Sequence, residues 1–296
     1  MEVLQTFVQQ FLNGLQLGSL YALVALGYTM VYGVLLLINF AHGDIFMVGA
    51  FLGIFFAFTL GLSFVPTLLL AMILTALLGI LIERVAYKPL RQASRLSAVI
   101  TALGVGLLLE NGMLALTGAK PRSFPNDFIT TEVYKVGGLS ISNIKILIIV
   151  LAFILMAGLY ILVQRTKWGM AMRAISYDKF ALPLMGVSPD QIISLTFLLG
   201  AGLAAAGGIL WGVAYPILNP YMGLRVGWKA FIAAVVGGIG DIRGAMVGAL
   251  LLGFLEVFVA AYFQSTYRDL IVFALLLVIL VVRPTGLFGV ARRQKV

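Results

Sequence analysis

Residues 164–190, QRTKWGMAMRAISYDKFALPLMGVSPD, form a polar, basic stretch of 27 residues inside an otherwise apolar chain. The stretch carries Arg165, Lys167, Arg173 and Lys179 among small, helix-forming residues, then a turn at Gly186 followed by Pro189. On both sides of it apolar runs are long enough to cross a bilayer. That contrast decides the fold: membrane helices, with one short helical element held in the water where a partner can push on it.

Working outward, the composition agrees. Of 296 residues 62% are hydrophobic and 10% charged, and the mean hydropathy is +1.09, which marks a polytopic membrane protein. The net charge of +9 does not argue for nucleic acid, because the basic residues sit in connectors between apolar spans, where they set membrane orientation. There is no cysteine and a single histidine, which excludes disulfides, thiolate metal sites, cysteine nucleophiles and a His-rich metal centre. No cleavable signal is expected, since the first span has no basic region before it and leads into further spans.

Apolar runs predict spans near 11–38, 45–61, 65–83, 97–117, 143–163, 191–215, 228–240, 244–263 and 269–283. Most reach about 25 Å or more, while 228–240 reaches only about 20 Å and is read as a tilted partial crossing or a re-entrant piece. The expected fold is all-α, a polytopic bundle of about eight long helices plus that short element, in a single domain over 1–296. No Lys or Arg precedes Arg84, and Arg84, Lys88, Arg91 and Arg95 follow the third span. The N-terminus is therefore expected outside, with 164–190 and the tail bearing Arg283, Arg292, Arg293 and Lys295 inside. The outer connector 118–142 reads as a loop with a short hairpin drawn from Phe128-Ile129-Thr130 and Val133-Tyr134-Lys135-Val136.

All nine prolines fall at span ends or in connectors, so breaks within the membrane are expected from glycine and polar residues. Gly14 with Gly18, Gly49 with Gly53, Gly208 with Gly212, and Gly244 with Gly248 make small faces for close helix contact. Gly43-Asp44-Ile45 is echoed at Gly240-Asp241-Ile242; helix capping alone accounts for that match, and duplication is the alternative.

Ile38-Asn39-Phe40-Ala41-His42-Gly43-Asp44 separates two spans with hardly any linker. It reads either as a tight helix hairpin, with Asn39 and Asp44 as caps, or as a broken-helix region lining a path. Asn39, His42 and Asp44 are the candidates there, joined by Glu110, Asn111 and Glu256, polar or acidic residues inside predicted spans where ionisable groups are costly. Glu83-Arg84-Val85-Ala86-Tyr87-Lys88-Pro89-Leu90-Arg91 reads as an inner-surface anchor, and Trp168, Trp211 and Trp228 as interfacial residues. No Gly-x4-Gly-Lys-Ser/Thr is present, so any driving ATPase is a separate chain. An ion-coupled secondary transporter would need coupling-ion ligands near the midplane, which the sparse acids do not supply. A Ser-His hydrolase finds no partner for His42.

Taken in order, the 38–44 and 83–91 motifs, Gly169-Met170-Ala171-Met172-Arg173-Ala174 through Met185-Gly186-Val187, and Gly237-Gly238-Ile239-Gly240 with Gly244-Ala245-Met246 resemble one family. The chain is similar, from about residue 10 to 290, to the permease subunit of ABC importers for branched-chain amino acids, in its LivH-type branch. The resemblance implies a translocation subunit with no cofactor and no ATPase activity of its own, multi-pass in the inner membrane. Its implied partners are a second, LivM-type permease, two cytoplasmic ATP-binding subunits, an extracytoplasmic binding protein that carries most of the selectivity, and membrane lipid. It also implies that 164–190 docks into the ATPases, with Gly169, Arg173, Ala174, Asp178, Ala181 and Gly186 at the matching positions. Related permeases carry urea, short amides or similar small solutes, which stand as the alternative substrates.

Overall fold

A computed structural model describes residues 2–91, 93–125, 127–177 and 181–289. Asp178, Lys179 and the tail residues Arg292, Arg293 and Lys295 lie outside the described residues. In chain order the helices are α1 (Glu2–Leu35), α2 (His42–Thr59), α3 (Phe64–Ile82), α4 (Arg95–Thr117), α5 (Asn143–Arg165), α6 (Lys167–Ile175), α7 (Ala181–Leu184), α8 (Pro189–Ala214), α9 (Met222–Gly237), α10 (Ile242–Tyr262) and α11 (Tyr267–Val282). A π turn over Glu83–Tyr87 and a 3-10 turn over Lys88–Leu90 extend α3.

Among the described residues seven helices are long and apolar enough to cross a membrane: α1, α2, α3 with its extension, α4, α5, α8 and α10. The 16-residue helices α9 and α11 are each roughly 24 Å long. Every predicted span falls on a helix. The short element is displaced, however: it starts at Met222 rather than at 228. Arg225 interrupts the apolar run that marks a span in sequence, yet the helix continues through it.

Helix starts follow local chemistry. Ser94 accepts from Ser97 N–H at 3.1 Å, Ser142 from Lys145 at 3.2 Å, Thr166 from Gly169 at 3.1 Å and Asp241 from Gly244 at 2.7 Å, each satisfying an orphan donor of a first turn. In the 118–142 connector the hairpin pairs β1 (Val133–Val136) with β2 (Leu139–Ser142). Its turn is Gly137-Gly138, at φ of +57° and +83°, the left-handed pair a two-residue hairpin needs. Phe128–Thr130 is not the second strand; Phe128 instead stacks on Phe124 at 4.6 Å.

The core gathers around α1, α2 and α8, which are buried on nearly all sides, whereas α4, α5 and α11 present exposed Leu, Ile and Val at the periphery. All four small-residue faces meet a neighbouring helix. Gly14 and Gly18 of α1 lie against Phe254 and Leu250 of α10, and Gly253 meets the Gly18 backbone in return. Gly49 and Gly53 of α2 meet Ala205 and Ile209 of α8, whose own Gly208 lies on Phe46 and Ala50 and whose Gly212 lies on Phe124. Gly244 and Gly248 of α10 face Gly237 and Ala233 of α9. A Cβ on Gly18 would sit 2.8 Å from Leu250 Cα, so the helix spacing here depends on a missing side chain, as expected where dispersion rather than water drives association.

Candidate functional site

The break between α1 and α2 brings three polar side chains, Asn39, His42 and Asp44, into the core. Where α2 begins, His42 Nε2 packs against Gly27 of α1, eight residues before α1 ends. After Leu35 the connector thus turns back alongside α1 before α2 starts. The reversal begins at Leu36, whose φ of +56° is the only left-handed value among described non-glycine residues. Asn39 and His42 are each 1% exposed and Asp44 6%.

The side chains there do not behave as a capped corner. No side chain caps α2, so Asp44 does not fill the capping role its position suggests. Its carboxylate instead points sideways between two other helices: a Cβ on Gly106 of α4 would lie 2.6 Å from Oδ2, and one on Gly223 of α9 2.7 Å from Oδ1. Only glycine lets both backbones come this near. Asn39 Oδ1 accepts from Tyr87 O–H at 2.7 Å, while Asn39 Nδ2, His42 Nε2 and Asp44 Oδ1 are buried without a hydrogen-bond partner, a state that Thr29 Oγ1, Thr75 Oγ1 and Arg91 Nε share. An aromatic wall stands beside this cluster. Tyr28 meets His42 edge-on at 4.9 Å, and Phe40 packs on Trp228 at 5.6 Å and on Phe231 at 5.8 Å.

The other sequence candidates separate. Glu110 lies one turn beyond Gly106 on the buried stripe Ala98, Ala102, Gly106, Glu110 of α4, so it faces the same side as the Asp44 approach. Asn111 is exposed and donates to its own helix at Leu107 O, 2.8 Å away. Glu256 belongs to a different cluster. It pairs with Lys229 of α9 and accepts from Tyr21 O–H of α1 at 2.6 Å, and Lys229 also reaches Asp269 of α11 at 2.9 Å. That network ties four helices together and leaves no acceptor of Glu256 idle.

At the basic end of the bundle the 83–91 motif is more than a surface anchor. Glu83 is fully buried and Tyr87 is 2% exposed. Arg91 pairs with both Glu83 and Asp190, Lys88 reaches Asp190 at 2.6 Å, and Ser194 donates to Glu83 at 2.7 Å. The end of α3 is thereby locked to the start of α8. Tyr87 carries the link inward to Asn39. Sequence reasoning missed Tyr87, Gly106, Gly223 and Lys229; the lone Lys in a short apolar element was the one available signal, since such a charge requires a partner.

The 164–190 stretch folds as α6, then α7, then a turn. Gly169 packs on the Val163 carbonyl, Arg173 donates to the same oxygen, and Met172 and Ile175 turn inward. Ala174 sits half-buried on α6 and Ala181 opens α7. Gly186 has φ of +74° and closes the turn by donating to Pro183 O at 3.0 Å. Leu184 and Met185 at the tip are 90% and 78% exposed. Among the described residues no three His, Asp or Glu side chains come together to hold a metal ion.

A family model described as "Branched-chain amino acid transport system / permease component" matches residues 10–280. The chain is 43% identical to the high-affinity branched-chain amino acid transport system permease protein BraD of Pseudomonas aeruginosa, over 98% of each chain. It is 40% identical to the corresponding permease protein LivH of Escherichia coli, again over 98% of each. Among solved structures, PsaBC from Streptococcus pneumoniae in complex with Fab aligns over 92% of this chain and 91% of its own, with a TM-score of 0.43 at 14% identity.

Proposed function

The chain belongs to the family of branched-chain amino acid transport permease components, and from that premise we propose how its residues serve import. It is a multi-pass permease subunit of an ABC importer that moves branched-chain amino acids across the inner membrane. It works with other subunits of that importer: a related second permease, two cytoplasmic ATP-binding chains that do the hydrolysis, and an extracytoplasmic binding protein. The N-terminus and the 118–142 loop face outward, and 164–190 and the C-terminus face the cytoplasm, in keeping with the basic residues around α3, α5 and α6.

In this reading the 38–44 break lines or gates the path. The observation that carries it is the set of buried polar atoms without partners on one short break, at Asn39, His42 and Asp44. Each such atom costs about 1–3 kcal/mol, a burden that a purely structural corner would shed. Water or a passing solute can supply the missing partners. Carboxylates at Asp44 and Glu110, together with the Tyr28, Phe40, Trp228 and Phe231 rings around the break, suit a zwitterion with an apolar side chain, held weakly enough to leave. Glu256 is reassigned to holding the bundle together. Substrate choice rests mainly on the external binding protein.

For coupling, the exposed Leu184-Met185 tip supports docking of 164–190 into the ATPase, with Gly169, Arg173, Ala174, Ala181 and Gly186 shaping the element. The test is transport per assembled complex in reconstituted vesicles containing every subunit. Asn39→Leu and Asp44→Asn are expected to lower turnover several-fold while solute affinity at the binding protein is unchanged. Normal turnover with lower assembly would return 38–44 to the role of a structural corner.

A further inference from the structure

We infer that the cleft between α3, α5 and α8 at the basic end of the bundle binds an anionic phospholipid of the adjoining leaflet. The cleft holds about 650 Å³. Helices α3 and α5 both pack on α8, and the groove among them has walls of Ile80, Leu162, Leu195 and Leu198. Leu77, Leu81 and Ile161 are exposed on α3 and α5, on helices that read as membrane spans. An apolar groove on such helices takes an acyl chain as readily as its own side chains.

The rim carries the headgroup chemistry. Arg84, Lys88 and Trp168 line it, the combination of cation and amphipathic ring that lies at a membrane surface. Three cations, Arg84, Lys88 and Arg91, lie on the turn after α3, and two carboxylates, Glu83 and Asp190, pair with the last two of them. Arg91 and Lys88 are spent on those acids. Arg84 is exposed and outside every ion pair among the described residues, so a phosphodiester has one uncompensated guanidinium to bind, with Gln191 of the same rim as a neutral donor. Basic pockets between membrane helices on the cytoplasmic side have this recognition chemistry. The inference rests on the topology proposed above, in which this end faces the cytoplasm.

The test uses the full chain purified in neutral detergent, offered dioleoyl phosphatidylglycerol or dioleoyl phosphatidylcholine and read by native mass spectrometry. Phosphatidylglycerol is expected to stay bound and phosphatidylcholine to be lost. Arg84→Gln, an exposed change that leaves the fold intact, should reduce retention about fivefold, and Leu198→Trp, which fills the groove, should reduce it as well. Glycerol phosphate without acyl chains should not displace the lipid. Undiminished retention in Arg84→Gln overturns the site, as does displacement by glycerol phosphate, which would make it a phosphate site. A cross-link from position 84 to the companion permease in the assembled complex would assign the groove to a protein interface and also overturn it. Retention is measured without transport, so its failure and a failure of the permease reading are separate results.

Discussion

Lys229→Met removes the ammonium that stands between Glu256 and Asp269. The two carboxylates are not equivalent. Asp269 is 68% exposed, so losing its partner costs about 0–1 kcal/mol. Glu256 is 3% exposed, and breaking a buried pair costs about 3–5 kcal/mol because the remaining charge stays desolvated. Two features reduce that figure: the lysine side chain is itself 22% exposed, and Tyr21 O–H still donates to Glu256. The expected loss is about 2–4 kcal/mol, a lowering of the apparent melting temperature by roughly 4–10 °C. Glu256→Gln should cost less, about 1–2 kcal/mol, since Lys229 keeps Asp269 and some water. In the double variant no buried charge is left without its partner, so its loss should fall short of the sum by about 1.5–3 kcal/mol. The assay heats the detergent-solubilised chain and measures the monodisperse fraction that remains, at one scan rate, because such bundles unfold irreversibly. Strict additivity, or an unshifted Lys229→Met, would refute the claim that this pair holds α1, α9, α10 and α11 together.

Three other outcomes are expected. Single cysteines at Gln5 and Ser176, in a chain with none of its own, should react with an impermeant reagent from outside and inside respectively; labelling of intact cells at Ser176 would reverse the topology. Gly186→Val forces a β-branched residue into φ of +74° at about 1–2 kcal/mol, with nothing within 4 Å to clash. Assembly should therefore survive while transport and substrate-stimulated ATP hydrolysis fall several-fold; parental rates would remove the loop from coupling. Gly253→Leu drives a side chain into the Gly18 backbone, so the yield of monodisperse protein should collapse, whereas the same change at Gly158, which meets nothing within 4 Å, should be tolerated.

Most of the architecture was legible without coordinates, because a bilayer requires long apolar helices whose polar interruptions are easy to see. Seven spans long enough to cross, the polar 164–190 insertion and the four glycine faces could all be read this way. What a glycine face meets could not be, since spacing shows that a helix is narrow but not which neighbour approaches. The 228–240 element came out displaced for a related reason: hydropathy counts Arg225 as a break, whereas the fold carries the helix through it and gives Lys229 its carboxylates from α10 and α11.

The sharpest division lies between two nearly identical starts, Gly43-Asp44-Ile45 and Gly240-Asp241-Ile242. Local chemistry assigns both aspartates to capping, and Asp241 does cap α10, at 2.7 Å from Gly244 N–H. Asp44 turns away, toward the bare backbones of Gly106 and Gly223. The sequence by itself determined the class of protein, its family and the list of polar residues at the breaks, because those depend on composition, periodicity and ordered motifs. Only the tertiary structure decided their roles, making Asp44 and Asn39 members of an unsatisfied cluster and Glu256 half of an ion pair. A side chain's hydrogen-bond partners come from helices distant in sequence, and local preference gives way to whichever neighbour packing brings within about 3 Å.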